Sequence, residues 1–374
     1  MSGETSRVSS PIQVLMMPDY RIDNPYQTLL AQALESNGVQ VHFPWGYRRV
    51  FPIFRAVKTS PQPFDVLHLH WLSPYTKGER WLVKFVYSVK FLIDVLITRW
   101  IGVRVVWTVH NRISHDAKFP GLDLWTRRIL AQLVDRIILH HHSILEAIAQ
   151  DYWFNIAKAS VVPIGHYRSV YPPPIDEQSA RNKLGLSLTG RIYLHQGILR
   201  PYKGIEHLIK VWAENPDIFE DDILLIVGKP LNLAYGKQLM QLAIGVKGVI
   251  LCPEFVEDDR MHFFFSSATV VVLPFEKILT SSSLVVAMSY SKPIIAPKLG
   301  GIPETLGRAD SLLYDPSHEK GLLLSLKKST HIDLKQLSQL VTERCNQLDW
   351  SKISETTTRI YQNLASRPYQ TKWT

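Results

Sequence analysis

The chain has 374 residues, 46 % of them apolar and 20 % charged. That balance excludes a disordered, collagen-like or disulfide-stapled chain, and the length suits about two to three domains. The net charge is +9, with 18 basic against 12 acidic residues up to position 165 and 24 against 21 beyond it, so the excess leans to the first half and suits an anionic substrate or surface.

The start of the chain is polar and lacks the apolar core of a secretory leader, and Cys252 and Cys345 are the only cysteines. The expected location is therefore the cytoplasm. Residues 12–17 form an apolar run that ends at Pro18-Asp19, and 26–37 have helical periodicity up to Gly38. Strands are predicted at 39–43, 66–70, 103–109, 137–140 and 161–162, with helices at 78–101, 122–134 and 143–153. Such alternation indicates parallel βαβ units whose strands are buried on both faces. Residues 81–101 are the longest apolar stretch, but Lys84, Lys90, Asp94 and Arg99 leave it too charged to span a bilayer. It reads as a core helix of the first sheet; the alternative is a face that contacts an anionic membrane peripherally.

Tyr171-Pro172-Pro173-Pro174 interrupts the pattern, because three prolines lack donors and fix φ. Strands resume at 191–196, 223–227, 249–251, 269–273 and 294–296, and 318–366 reads as mostly helical. The expected architecture is α/β, with two doubly wound parallel sheets. A first domain is expected at residues 1–170, a linker at 171–188 and a second domain at 189–374, whose last helix is free to cross back to the first. Doubly wound sheets bind ligands at the carboxyl ends of their strands. Those ends carry Asp19, His70-Trp71, His110-Asn111 and 140–143, then Gly197, Gly228-Lys229, Glu254-Phe255 and Pro274-Phe275.

Gly197-Ile198-Leu199-Arg200-Pro201-Tyr202-Lys203-Gly204 follows a strand and opens a helix. Two cations beside a helix N-terminus suit a diphosphate, and a glycine admits close approach; an ordinary βα turn with two exposed bases is the other reading. Ser281, Ser282, Ser283 and Leu284 begin a later helix, where serines either cap it or cradle phosphate. Gly300-Gly301 permits a tight turn. His110 can donate a hydrogen bond to a sugar or phosphate, or act as a base if its pKa stays near 6.5. Asp19 can accept a proton from an acceptor hydroxyl or cap its turn. His140-His141-His142 points to alternate strand faces and is a poor metal site. His115-Asp116 and His166 are candidates for lining a cleft.

The series Gly197 to Gly204, Val227-Gly228-Lys229, the serine-rich helix start, 287–296 and Gly300-Gly301-Ile302-Pro303-Glu304 resembles the C-terminal half of GT-B glycosyltransferases of the family 4 type. Asn24-Pro25-Tyr26 and 106–111 resemble a bacterial exopolysaccharide subgroup of them. The resemblance implies that Arg200 and Lys203 neutralise a donor diphosphate, Gly197 admits it, and Ser281, Ser282, Ser283 and Leu284 hold phosphate. Gly228, Lys229, Glu254, Phe255 and Val256 would flank base and ribose. It also places His110 near the anomeric carbon. The family's paired glutamates fall on Ile278 and Val286, which cannot bond through their side chains, so Glu254, Glu276 and Glu304 are candidates for that work.

The implied activity is metal-independent transfer of a hexose from a nucleotide sugar, UDP-glucose first and GDP-mannose second, to a glycan or lipid-linked acceptor. No cofactor or metal is expected, since no Asp-x-Asp triplet is present. A nucleotide-sugar 2-epimerase is the enzymatic alternative. A nucleic-acid-binding protein is the non-enzymatic one, which no basic helix or aromatic-basic repeat supports.

Overall fold

The computed structural model describes residues 11–22, 24–44, 50–114 and 117–366. It divides into two compact units, one holding residues up to His140, Ile144–Pro163 and the chain from Trp350 onward, the other His141–Ser143 and Ile164–Asp349.

The first unit runs β1 (Ile12–Met17), α1 (Pro25–Ser36), β2 (Val39–His42), α2 (Pro52–Lys58), β3 (Val66–Leu69), α3 (Trp81–Trp100), β4 (Arg104–Thr108), α4 (Pro120–Leu133), β5 (Arg136–Leu139), α5 (Leu145–Tyr152) and β6 (Ala159–Val161). The six strands are parallel in the order β2-β1-β3-β4-β5-β6. Val66, Leu67 and Leu69 on β3 and Val105 and Val106 on β4 are fully buried, as β-branched and aliphatic runs between two helical layers should be. Asn24 caps α1 by accepting from Tyr26 N at 3.0 Å, with Pro25 in the first turn where no donor is needed. The short helix α2 escaped the periodicity reading because seven residues make only about two turns.

The second unit continues with α6 (Glu177–Leu184), β7 (Ile192–Gln196), α7 (Ile205–Ala213), β8 (Ile223–Val227), α8 (Leu233–Ala243), β9 (Val249–Cys252), α9 (Met261–Ser267), β10 (Val270–Val272), α10 (Ser282–Ser289), β11 (Ile294–Pro297), α11 (Ile302–Leu306), β12 (Leu313–Tyr314), α12 (Gly321–Ser329) and α13 (Leu334–Asn346). Its parallel sheet has the order β12-β11-β10-β7-β8-β9. The final helix, α14 (Trp350–Ala365), belongs to the first unit and packs on α1, β1 and β3.

The expected linker at 171–188 lies within the second unit. Prolines lack donors but keep their carbonyls: Tyr290 Oη donates to Pro172 O at 3.0 Å, and Ile175 N donates to Ser266 Oγ at 3.0 Å. Asp176 then caps α6, which Gly185 ends in the left-handed conformation and which packs on α9.

Helix α3 carries its polar groups inward. Asp94 accepts from Ile53 N at 2.9 Å and Phe54 N at 2.8 Å, satisfying the start of α2. Lys84 Nζ lies 2.6 Å from Asp123 on α4, with Arg127 at 3.7 Å from the same carboxylate. Both partners of the short pair are buried. Asp123→Ala should therefore cost about 3–5 kcal/mol by leaving two buried cations uncompensated, whereas Lys84→Met, which leaves Asp123 with Arg127, should cost clearly less. Urea unfolding at neutral pH measures both, and equal losses would show that Arg127 does not share the carboxylate.

Candidate functional site

In the first unit the strand order reverses between β1 and β3, so the ends of these strands border the crevice where such sheets bind ligands. Three consecutive strand ends there carry histidines: His70 after β3, His110 after β4 and His140 after β5. Their rings are linked. His140 Nδ1 lies 2.8 Å from Val162 O, His140 Nε2 is 3.3 Å from His110 Nδ1, and His110 Nε2 is 3.1 Å from His70 Nδ1. A carbonyl only accepts, so His140 Nδ1 holds the proton and donates to it. Continued from that donor, His140 Nε2 meets His110 Nδ1, and His110, held neutral by burial, meets His70 Nδ1 through Nε2. His70 Nε2 ends the chain as a buried nitrogen with no hydrogen-bond partner among the described residues.

A fourth histidine supports the chain. His68 lies tilted against His70 at 4.1 Å, bonds Thr108 Oγ1 through Nε2 at 2.7 Å, and meets Tyr361 Oη of α14 at 2.6 Å through Nδ1. Trp71 stacks on His110 with ring centroids 4.3 Å apart, and the Tyr26 ring stands edge-on to His70, His110 and His140. Burial pushes His68 down to about 3 and His70 and His110 well below the ordinary 6.5, with the neighbouring rings adding to the effect. The expectation of a base near 6.5 at His110 is thus corrected. The ring is neutral and both its nitrogens face histidine partners.

Asp19 is corrected in the same sense. Its carboxylate takes Arg21 Nε at 2.9 Å, a second guanidinium nitrogen at 2.8 Å and Arg21 N at 3.1 Å. The guanidinium bond holds its pKa below the ordinary value against the effect of burial, so it caps the turn and is a weak base. His115-Asp116 lie outside the described residues.

In the second unit the order reverses between β7 and β10. Gly197 ends β7 at φ +124°, and the turn after it closes with Gly204 at φ +68°, before α7. A Cβ on Gly204 would lie 2.1 Å from Pro274 O, so only glycine lets this turn lie against the end of β10. Glu276 N donates to Tyr202 O at 2.9 Å across the same junction. A Cβ on Gly197 would lie 2.8 Å from Lys203 Nζ and 3.4 Å from Ser283 Oγ. The bare glycine therefore sits under an ammonium and a hydroxyl that converge on one point.

Lys203 is buried. Burial first, and Arg200 second, lower its pKa to about 8. Lys203 also lies near buried His195, which burial pushes down to about 3 and whose Nδ1 donates to Val272 O at 2.9 Å. Arg200 is half-buried in the same turn. The reading of two exposed bases fails for Lys203.

The serine-rich start of α10 divides its labour. Ser281 is buried and caps, accepting from Leu284 N at 3.1 Å, while Ser283 Oγ is the hydroxyl near Gly197 and Ser282 is exposed. Gly228, at φ +147°, is needed for packing: a Cβ there would lie 2.0 Å from Gly197 O. Lys229 is exposed and its carbonyl accepts from Leu199 N at 2.9 Å. Beyond β9, Glu254 and Phe255 are exposed and Val256 is buried. Val286 is buried inside α10, and Ile278 is half-buried.

Glu304 is taken up structurally. Its carboxylate accepts from His142 N at 2.9 Å and Ser143 N at 2.8 Å. Burial would raise its pKa, but these amides outweigh it and hold the group below the ordinary value. His141 bonds Thr305 Oγ1 at 2.7 Å, and a Cβ on Gly301 would strike its ring at 2.0 Å, so the second glycine of the pair makes room for that imidazole. His166 is half-buried, its N–H on Leu348 O at 2.9 Å. No group of three or more His, Cys, Asp or Glu residues able to hold a metal occurs among the described residues.

Residues 176–336 match the family model described as Glycosyl transferases group 1. Sucrose-phosphate synthase from Thermosynechococcus elongatus superposes with a TM-score of 0.71 at 17 % identity, over 95 % of this chain and 99 % of that one. HepE of Anabaena, in complex with UDP and glucose, superposes with a TM-score of 0.70 at 16 % identity, over 94 % and 100 %. The fold is GT-B. In sequence, the chain is 27 % identical over 353 residues to the GDP-mannose:glycolipid 4-beta-D-mannosyltransferase of Xanthomonas campestris pv. campestris, covering 90 % of this chain and 88 % of that protein. Together these likenesses support glycosyltransferase activity.

The neutral histidines make stability depend on pH with a definite sign. Above about 6.5 histidines are neutral in both folded and unfolded chains; below it the unfolded chain takes up protons that His68, His70, His110 and His195 refuse while folded. Their stabilisation is present above 6.5 and is lost as pH falls toward their depressed folded values, each contributing up to about 1.4 kcal/mol per pH unit. The urea midpoint should drop clearly between pH 7.5 and 5.5. An unchanged midpoint would mean that these rings are protonated in the fold.

Proposed function

We propose that this protein transfers a hexose from a nucleotide-diphosphate sugar to a glycan or lipid-linked acceptor, without a metal ion. The observation that carries the reading is the convergence of Lys203 Nζ and Ser283 Oγ over the bare backbone of Gly197, at the strand-order reversal of the second sheet. A nucleoside diphosphate leaves with growing negative charge as the glycosidic bond breaks. A fixed ammonium in a dry site, with Arg200 in the same turn, stabilises that charge without reorganising solvent. Phe255, exposed beyond β9, and the backbone at Gly228-Lys229 stand at the neighbouring strand ends, where base and ribose are expected.

Two donors are proposed. UDP-glucose is the donor that the resemblance in sequence motifs implies, and it agrees with the ligands named for the Anabaena protein, which shares the fold at 16 % identity. GDP-mannose is favoured by the Xanthomonas mannosyltransferase, related in sequence over 90 % of the chain, whose name also specifies a glycolipid acceptor. Release of nucleotide from a panel of nucleotide sugars, with lipid-linked oligosaccharide as acceptor and a chelator present, tests the proposal. Turnover with one of the two donors supports it; formation of an epimer without acceptor, or activity only on adding manganese, overturns it.

Lys203 gives the site a pH signature. With a pKa of about 8 in the free protein, the ammonium that attracts the diphosphate loses its charge above that value. The dissociation constant of a nucleoside diphosphate should then rise by up to about tenfold per pH unit above 8, while that of the nucleoside stays flat. Lys203→Met should remove this slope and weaken the diphosphate by roughly ten- to a hundredfold, the worth of one charge-assisted bond of about 1.5–3 kcal/mol. Calorimetric titration measures both, and a slope that persists in the variant would assign it to another group.

In the first unit we infer that His110 contributes as a neutral imidazole held by its neighbours. His110→Ala should lower kcat far more than it raises the KM for donor. The acid limb of kcat should show no group titrating near 6.5, and His110→Asn should retain part of the rate, because an amide replaces both a donor and an acceptor. A titration near 6.5 that disappears in His110→Asn would restore the role of base.

A further inference from the structure

Helix α3 is inverted relative to an ordinary surface helix. Its buried side holds Lys84, Ser88, Asp94 and Thr98 among the apolar contacts. Its outer side is apolar. Leu82, Val86, Ile93 and Trp100 are exposed, Val89 and Leu96 are half-exposed, and alternating steps of four and three residues keep these six on one stripe. Twenty residues make this stripe about 30 Å long. Trp81, stacked on Phe85, is exposed at its start; Trp125 of α4 adjoins Phe85 and is also exposed. A soluble monomer rarely leaves so long an apolar face open to water.

Charge identifies the occupant. On α2, α3 and α4, which pack side by side, the acidic residues are Asp94 and Asp123, each 1 % exposed and turned inward. The charges left at the surface of these helices are basic: Arg55 and Lys58 are exposed, and Lys90, Arg99 and Arg128 half-exposed. Arg99 is paired with Asp135 beyond α4, and Lys90 lies over the Tyr87 ring. At the start of α3, Glu79 is flanked by exposed Lys77 and Arg80 and lies 3.8 Å from Lys118. An apolar stripe with basic flanks and tryptophan at both ends is suited to lie in the headgroup region of a bilayer. The same basic flanks would repel a second copy laid along the stripe. No described helix is long and apolar enough to cross a membrane.

We propose that the outer face of α3, with the flanking faces of α2 and α4, docks the protein on an anionic phospholipid surface, with the helix lying in the plane of the interface. Leu82, Val86, Ile93 and Trp100 enter the acyl boundary, and Arg55, Lys58 and Lys90 meet the phosphates. Vesicle binding is read without donor or acceptor, so it holds or fails independently of the transfer reading.

The test is sedimentation of the full chain with vesicles of phosphatidylcholine alone and of phosphatidylcholine with phosphatidylglycerol, at low and high salt. Binding is expected with the anionic vesicles, at least about tenfold weaker without the anionic lipid or at high salt. Val86→Glu and Ile93→Glu should each weaken it at least about tenfold, while nucleotide binding by the same variants stays at the wild-type value. Absence of binding to anionic vesicles by the unaltered protein overturns the proposal without recourse to any variant. So does a stable dimer in light scattering that Val86→Glu dissociates, since the stripe would then belong to a second copy.

Discussion

A strand buried on both faces admits polar chemistry mainly at its carboxyl end, and the central strands of both sheets of this protein, β1, β3 and β4 in one and β7, β8, β10 and β11 in the other, are of that kind. Their residues are mostly valine, isoleucine and leucine, and the polar ones buried within them, His68, Thr108 and His195, bond internal partners, so the groups that can meet a ligand collect where each chain leaves its sheet. The first unit places histidines at three adjacent ends, and the second places Gly197 and Gly228 there. The two arrangements solve different problems. Burial keeps His70 and His110 of the row neutral, and the Val162 carbonyl fixes the donor on His140 at Nδ1. Burial first, then the neighbouring His140 and His68, disfavour a proton on the middle ring, His110.

In the second unit the constraint is room. Gly204 against Pro274 O and Gly228 against Gly197 O show backbone packed upon backbone, with no space for a methyl group. This compactness buries Lys203 where its ammonium is poorly solvated. A poorly solvated cation gains more from an incoming anion than an exposed one does, because less water is displaced from it. The glycines thus act through Lys203 as much as through any direct approach of a ligand.

Much of this was legible from residue order. The β-branched runs marked the strands from β1 to β11 to within about two residues, because burial leaves a continuous apolar signal, whereas β12, only Leu313 and Tyr314, is too short to carry one and was missed. Histidines at strand ends also stood out one by one. Their mutual contacts did not, since they depend on the register of β3, β4 and β5, which places residues 40 and 30 positions apart side by side. The prolines at 172–174 read as a break between domains because sequence shows their missing donors and hides their carbonyls, one of which holds Tyr290. Glu304 looked available for a sugar until its carboxylate was found on two backbone amides.

Helix α3 shows why a single hydrophobic pattern has two structural solutions. A periodic apolar stripe normally predicts the buried face, and on that basis 81–101 reads as a core helix. Here two buried carboxylates override the stripe. Asp94 is tied to the free amides at the start of α2 and Asp123 to Lys84, so turning the helix to hide Leu82, Val86 and Ile93 would expose or unpair both. Breaking a buried, hydrogen-bonded charge costs several kcal/mol, comparable to what burying two or three aliphatic side chains returns, so the orientation with the carboxylates inside is sustained. The apolar face is thereby left outward by interactions local to the first unit.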